Sequence, residues 1–182
     1  MSERPHIIRI VDGAPRVVAD DWRVVDSATD WDNCAADRAA GLLLPLALAE
    51  AQPGRIRGDQ GRALGLALAP DDDPARAVPF FAHIRLIGVQ FPKFTDGRGY
   101  STAVLLRTRH GWRGELRALG EVLQDQLFAL RRVGFDSFAL RPGRDPQAAL
   151  RAFAPFTDTY QGSVDQPLPA FARAPASANK TP

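Results

Sequence analysis

The feature that most constrains the fold is a regular alternation of short apolar runs with helix-like segments. Four runs, each long enough for a buried strand, follow one another along the chain: residues 63–69, 85–91, 115–119 and 136–140. Each run precedes a segment of helical character, and Asp73-Pro74 and Asp145-Pro146 provide the N-cap and first-turn proline that open two of these segments. Strands separated by helices predict a parallel sheet with right-handed crossovers.

The remaining parts of the chain extend this pattern at both ends. Residues 6–26 predict a β-hairpin, because apolar runs flank a turn at Asp12-Gly13-Ala14-Pro15. A further strand and helix are expected over residues 42–52, so the βα repeats cover 42–154 within a single α/β domain of residues 1–164. Residues 165–182 are rich in Pro, Ala and Ser, which predicts a disordered tail.

Two α/β architectures fit this order of elements, an open doubly wound sheet and a partial barrel. A complete (β/α)₈ barrel takes about 250 residues, at least ~200. This chain has 182 residues and is too short to close such a barrel alone. The pattern favours a layer of five or six strands with the N-terminal hairpin attached. It does not decide between an open sheet and a partial barrel. A partial barrel completed by a homodimer is a third option.

Several local predictions concern where helices begin and end. Asp30 and Asp32 are expected to cap a helix that runs to about residue 40. Residues 53–60 are polar and contain glycine, which favours a loop. Residues 121–133 form the longest helical pattern, and Gly134 is expected to end that helix.

Charge and composition narrow the class of partner. The net charge is only +2, from 23 basic and 21 acidic residues, and no aromatic RNA-binding motif is present, so nucleic acid is not expected as a partner. Residues 98–151 nevertheless hold ten arginines and five acids. Guanidinium groups bind oxyanions in a bidentate manner, so this stretch suits a small oxyanion or an acidic partner.

Cellular location and cofactors are constrained by absences in the sequence. No run of 18 apolar residues and no apolar N-terminal stretch occurs, so neither a membrane span nor a signal peptide is expected and the cytoplasm is the expected compartment. The single cysteine, Cys34, cannot form an internal disulfide or an all-cysteine iron–sulfur cluster within one chain. Three scattered histidines lack metal-ligand spacing, so no metal site is predicted.

The segment after the strand that ends at Phe91 is the most informative one for binding. Ligands of parallel α/β folds bind at the carboxyl ends of strands, where glycines allow close approach and a helix start attracts anions. The candidate anion-binding residues here are Asp96, Gly97, Arg98, Gly99, Tyr100 and Ser101. The alternative is a plain turn with an ion-paired arginine. The glycines stand too far from the strand for a strong dinucleotide fingerprint, so NADP or another nicotinamide cofactor is only weakly indicated.

Three further polar residues are candidates for a ligand site, each with a structural alternative. Glu115 and Arg117 share one face of a predicted central strand, where they either line a cleft or form a structural ion network. Gln126 falls on the apolar face of its predicted helix and either reaches a ligand or holds a loop backbone. Phe128 is expected on the opposite face, either as a partner or dimer surface or beneath a neighbouring loop.

Several motifs occur in a specific order: Phe91-Pro-Lys-Phe-Thr-Asp-Gly-Arg-Gly-Tyr-Ser, Gly114-Glu-Leu-Arg-Ala-Leu-Gly, Asp125-Gln-Leu and Gly134-Phe-Asp-Ser-Phe. Together they resemble a bacterial domain-of-unknown-function family whose genes commonly lie beside sulfite reductase genes. Members of that family are often labelled probable oxidoreductases of sulfite reduction. The resemblance is dense over residues 84–140 and looser over 40–83. Val133 departs from it, because a cysteine is expected there in many relatives, as does Glu121, where aspartate is expected.

The resemblance implies a place in the assimilatory reduction of sulfite to sulfide. That six-electron reaction uses sirohaem and a coupled iron–sulfur cluster, which a chain with one cysteine cannot hold alone. An accessory protein that binds an oxyanion or sulfite reductase itself is therefore the first hypothesis. A stand-alone oxidoreductase with a flavin or nicotinamide cofactor is the second, and a non-catalytic interaction module is the third.

Overall fold

A computed structural model describes residues 5–34, 40–59, 61–153 and 160–173, and the structural statements below concern these residues. The strands are β1 His6–Val11, β2 Ala14–Ala19, β3 Trp22–Val24, β4 Gly41–Pro45, β5 Leu64–Leu68, β6 Leu86–Phe91, β7 Glu115–Gly120 and β8 Ser137–Phe138. They form one eight-stranded sheet with the order β2-β1-β8-β7-β6-β5-β4-β3. Strands β3 to β8 are parallel, whereas β1 is antiparallel to both β2 and β8.

Short helices connect the parallel strands. The α-helices are α1 Ala28–Asn33, α2 Leu46–Ala51, α3 Pro53–Gly58, α4 Arg98–Val104, α5 Leu127–Arg132 and α6 Pro146–Ala149. The 3₁₀ helices are Pro74–His83, Gln124–Gln126, Leu150–Phe153 and Ala170–Ala172, and a π-helix, Leu105–Arg109, continues α4. The predicted Asp-Pro helix starts are confirmed, since Asp73 and Asp145 each accept a backbone N–H in the first turn, at 2.9 and 2.8 Å.

The sheet curls into a half barrel, which decides between the two architectures that the sequence left open. Each crossover from β3 to β8 moves one strand along in the same direction, whereas a doubly wound sheet reverses its order and carries helices on both faces. Here the helices pack on one face of the sheet, because the larger of the two apolar cores contains the buried residues of the helices together with those of one strand face. The predicted α/β class with parallel βα repeats and an N-terminal hairpin is confirmed, with eight strands in the sheet.

Two apolar cores lie on the two faces of the sheet. The outer core combines alternate strand residues such as Leu66 and Ile87 with helix residues such as Leu106 and Leu130. The inner core is small and consists of Leu43, Ala67 and Leu86, covered by the partly buried side chains of Trp22 and Leu119. Because side chains alternate across a strand, the residues that face the inside of the half barrel are a distinct set.

The N-terminal hairpin is confirmed, but its turn is shorter than the expected four residues, because Ala14 and Pro15 already pair with β1 as the start of β2. Strands β1 and β2 are joined by the two residues Asp12 and Gly13, whose φ angles of 51° and 78° match the turn type that suits the twist of a hairpin. At the other end of the chain, Arg132 holds residues 160–173 against the domain through Gln161, Ser163 and Asp165. The part of the predicted tail from residue 174 onward lies outside the described residues.

Three local predictions were wrong. Ser27, and not Asp30 or Asp32, caps α1, because its Oγ accepts the N–H of Asp30 at 3.1 Å. Residues 53–58 form α3 and not a loop, with Pro53 in the first turn, where its missing N–H costs nothing. The long helix expected over 121–133 is only the 3₁₀ turn and α5, because the Gln126 side chain accepts the N–H of Leu123 and holds that residue in an extended conformation.

Within the described ranges, no helix combines the length and the apolar character that crossing a bilayer requires.

Candidate functional site

The loops that follow the parallel strands meet at the carboxyl-end edge of the half barrel. Asp71 lies after β5, residues 92–97 lie after β6, and the segment that leads to Gln126 lies after β7. An ion pair and a hydrogen bond from a side chain to a backbone carbonyl join these three loops, as described below. We call residues 92–98 the Phe94 loop. Among the described residues of this segment, Phe94 is the one large apolar side chain that is exposed.

Arg98 joins two of the carboxyl-end loops. Its Nε lies 3.0 and 3.2 Å from the two carboxylate oxygens of Asp96, and its Nη2 lies 2.6 Å from Oδ2. Its Nη1 pairs with Asp71 across the edge of the sheet. The side chain of Arg98 is 51% exposed, so the pairing holds the arginine in place without removing it from water.

The start of α4 is arranged like an anion site in which Asp96 supplies the negative charge. The N–H of Arg98 donates to Asp96 Oδ1 at 3.1 Å, and the guanidinium of Arg98 binds the same carboxylate. Gly97, at the N-cap, brings no side chain of its own, and Ser101 is exposed on the same helix. Binding of an external oxyanion at residues 96–101 remains a prediction, and this geometry requires the anion to displace the carboxylate of Asp96.

Gln126 links the loops that follow β6 and β7. It is buried, its Oε1 accepts the N–H of Leu123 at 3.0 Å, and its Nε2 donates to the carbonyl oxygen of Phe94 at 3.4 Å. The hydroxyl of Tyr100 forms a hydrogen bond with Gln126 as well; burial raises the pKa of Tyr100 and this bond opposes the rise. Of the two roles considered for Gln126, the structure shows the one in which it holds loop backbone.

An aromatic cluster positions α4 beneath the Phe94 loop. The ring of Phe91 lies 5.7 Å from that of Tyr100, edge to face, and 5.9 Å from that of Phe135. Gly99 lies directly over Phe91, and a Cβ at this position would come within 2.4 Å of the ring. Gly99 therefore allows the first turn of α4 to pack closely against the end of β6.

Phe94 is an exposed aromatic side chain that the sequence analysis did not single out. It is 49% exposed, while its carbonyl is held by Gln126 and the carbonyl of Lys93 accepts the N–H of Asp96 at 3.0 Å. Phe128, which the helical pattern places outward, is partly buried and in contact with the rest of the chain. In the sequence, the one signal for an exposed Phe94 was that it falls outside any apolar periodicity, in a segment with Pro92, Lys93 and Gly97.

Glu115 and Arg117 lie elsewhere, on the inner face of the half barrel. Arg117 is 1% exposed; its Nη1 lies 2.7 Å from Asp20 Oδ1 and its Nη2 lies 2.7 Å from Glu115 Oε1. Ser137 donates to Glu115 Oε1 at 2.7 Å, and Arg9 pairs with Glu115 Oε2 at 3.3 Å. In the described parts of the chain these partners come from β1, β8 and the corner after β2, so the network ties the hairpin to the parallel strands.

The positions of the glycines at this edge can be compared with those of a dinucleotide-binding loop. A dinucleotide fingerprint places its first glycine at the strand end, whereas Gly97 follows Phe91 by six residues and Asp96 takes the N–H of Arg98. The residues present therefore do not match that fingerprint. Across the described ranges, no three His, Cys, Asp or Glu side chains lie close enough together to hold a metal ion.

The span from β5 to the C-terminal segment matches a known family. The model of the bacterial protein of unknown function DUF934 covers residues 65–171, which is more than half of the chain. The chain belongs to the DUF934 family. The match includes the Phe94 loop, Arg98 and Gln126, whereas the hairpin and Asp20 precede it. A search of curated proteins finds no match to the chain.

In this DUF934 protein, Arg98 should control the ionisation of Asp96. Hydrogen bonds from the side chain and the backbone of Arg98 hold the pKa of Asp96 at about 2, below its ordinary value of 3.8. The pairing therefore stabilises the fold above pH 3.8, and this contribution is lost as the pH falls through about 2. We expect Arg98→Gln to raise the pKa of Asp96 toward 3.8, as measured by NMR titration of the carboxyl carbon.

Arg76→Gln is the matched control, since Arg76 pairs with Glu50 of α2 and with Asp72 after β5 and does not contact Asp96. An Asp96 pKa that stays near 2 in Arg98→Gln would show that another group holds the carboxylate.

Proposed function

We propose that this DUF934 protein is an accessory protein of assimilatory sulfite reduction that docks onto sulfite reductase through the Phe94 loop. The observation that carries the proposal is the 49% exposure of Phe94 on a loop whose backbone Gln126 holds. Interface energy concentrates in a few aromatic and arginine side chains, and a contact that is already rigid loses less conformational entropy on binding. Phe94 and the neighbouring Arg98 match that description.

The motifs that resemble the sulfite-reduction family support the choice of pathway. The longest of them begins at Phe91 and contains the whole Phe94 loop. Because the chain has one cysteine, sirohaem and its coupled cluster belong to the partner in this proposal.

Docking is favoured over capture of a free oxyanion because of the charges around Arg98. Two carboxylates, Asp96 and Asp71, already offset its positive charge. A small anion would meet that negative charge, whereas a protein surface can contact Phe94 and exchange ion pairs at the rim. Calorimetric titration with sulfite tests the oxyanion alternative directly, and binding that Arg98→Ala abolishes would favour it.

Growth of a clean deletion strain tests the pathway. We expect no growth on sulfate or sulfite as sole sulfur source, and rescue by sulfide or cysteine. Normal growth on all four sources would refute a role in sulfite reduction. The visible spectrum of the purified protein tests the stand-alone oxidoreductase alternative, for which a flavin band would be evidence.

Phe94→Ser tests the docking surface. We expect it to weaken capture of sulfite reductase about 30-fold, the effect of losing one interface hot spot of ~2 kcal/mol, and to leave folding unchanged. Val78→Ser, at a residue that is 40% exposed on the 3₁₀ helix Pro74–His83, is the matched control and should bind like the wild type. Undiminished capture by Phe94→Ser would exclude this loop as the docking surface, whatever the growth experiment shows.

A further inference from the structure

A cavity lies at the end of the half barrel opposite the Phe94 loop, beside the residues that precede β7 and β8. It has a volume of about 610 Å³, within the usual range of small-molecule sites. The π-helix Leu105–Arg109 and the last turn of α4 form one wall. Arg113 and the C-terminal segment of residues 162–167 form the other.

The lining combines positive charge with an apolar surface. It holds two guanidinium groups, from Arg107 and Arg113, and no carboxylate among the described residues. The depression beside it shares both arginines and is lined by Asp136 and Asp165, which pair with Arg107 and Arg132. Val104, Val164 and Pro167 supply the apolar part of the wall. Such a lining suits a molecule with one anionic end and one apolar end.

Arg107 is a guanidinium held in a fixed position at the base of this cavity, and Asp136 offsets part of its charge. Its side chain is 12% exposed, its Nε donates to the carbonyl of Gly134 at 2.9 Å, and its Nη1 donates to those of Trp112 and Gly114, both at 2.9 Å. Its Nη2 lies 2.7 Å from Asp136 Oδ2. Burial lowers the pKa of Arg107, Asp136 opposes that change, and the nearby Arg113 lowers the pKa further.

Arg113 is the complementary group at the rim. It is exposed, and among the described residues it has no hydrogen-bond or ion-pair partner. It lies close enough to Arg107 for the two like charges to repel each other. A bound anion between them would relieve this repulsion, since opposite charges at short distance attract.

The π-helix adds an independent observation. The N–H of His110 bonds to the carbonyl of Leu105 at 3.0 Å, five residues back, and this widened turn carries the lining residues Arg107 and Thr108. Short π segments are rare and are found mostly at functional sites.

We propose that this cavity binds an organic anion, with a phosphate or carboxylate group between Arg107 and Arg113 and an apolar body against Val104, Val164 and Pro167. The site is at the amino-terminal end of the strands, away from the Phe94 loop. The test of this site is therefore independent of the test of docking to sulfite reductase.

Phenyl phosphate and benzoate are suitable probes, because each joins an oxyanion to an apolar ring. We expect at least one of them to bind with one-to-one stoichiometry by calorimetry and to shift the NMR signal of the backbone N–H of Thr108, which lines the cavity. A tighter complex with phenyl phosphate would identify phosphate as the preferred group, and one with benzoate would identify carboxylate. If neither probe binds, the proposal is overturned.

Arg113→Ala should weaken the binding at least tenfold, since it removes a charge-assisted hydrogen bond. Arg109→Ala is the matched control, because Arg109 is on the same π-helix but does not line the cavity. Val164→Asp should abolish binding by placing a carboxylate in the wall. Equal losses of affinity in Arg113→Ala and Arg109→Ala would show that the effect comes from general surface charge, and would overturn the proposed site.

Discussion

Replacing Arg117 with alanine is expected to lower the free energy of unfolding by about 3–5 kcal/mol. The arginine is 1% exposed and neutralises Asp20 and Glu115, which are themselves only 15% and 19% exposed. Its removal leaves two largely buried carboxylates, and among the described residues only Glu115 keeps a cation, Arg9, at 3.3 Å. A loss of this size is a large part of the ~5–15 kcal/mol that stabilises a typical domain.

Urea denaturation of Arg117→Ala beside Arg141→Ala provides the test. Arg141 pairs with Glu121 at 3.3 Å, but the two side chains are 50% and 42% exposed, so this variant should lose less than about 1 kcal/mol. Arg117→Lys keeps the charge without the forked geometry and should fall between wild type and Arg117→Ala. Similar losses in Arg117→Ala and Arg141→Ala would contradict a stabilising role for the inner network.

Replacing Gly120 with alanine should destabilise the protein by about 3 kcal/mol, because two costs combine. The φ of Gly120 is +93°, a conformation that costs other residues about 1–3 kcal/mol. A Cβ there would also lie 2.5 Å from the carbonyl oxygen of Phe91, and crowding of this kind costs about 1–3 kcal/mol. That oxygen accepts the N–H of Glu121 at 2.8 Å, so moving away would weaken a hydrogen bond at the end of β6.

Gly111→Ala separates the two costs. Gly111 has a φ of +70° and nothing within 4 Å of the position of a Cβ, so only the backbone strain applies and a loss of about 1 kcal/mol is expected. Equal midpoints for the two variants in urea denaturation would show that the contact with Phe91 contributes nothing. A larger loss for Gly120→Ala would confirm that the close approach of β6 and β7 depends on this glycine.

The sequence predicted which charged residues belong to the candidate site, but not which residues they pair with. The spacing of Gly97, Arg98 and Gly99 after a strand placed a charged loop at the carboxyl-end edge. The structure then showed that Arg98 binds Asp96 and Asp71, the second of them 27 residues away in sequence. Similarly, alternation along β7 put Glu115 and Arg117 on one face, but Asp20 lies 97 residues from Arg117 and no local pattern links them.

The cavity beside the π-helix shows the same limit. The arginine excess over residues 98–151 was visible in the sequence, yet it did not show that Arg107 is held by carbonyl groups or that Arg113 has no partner in the described parts of the chain. Both facts depend on where the segments around Gly134 and Val164 come together in space.

The sequence by itself determined the alternation of strands and helices, the N-terminal hairpin and the helix starts at Asp73 and Asp145. These features depend on hydrogen bonds and apolar periodicity within a few residues, so they can be read locally. Only the tertiary structure decided that the sheet curls into a half barrel and that the Phe94 loop and the cavity beside the π-helix lie at opposite ends of it. Sheet curvature and ion pairing depend on contacts between residues far apart in the chain, which local patterns do not encode.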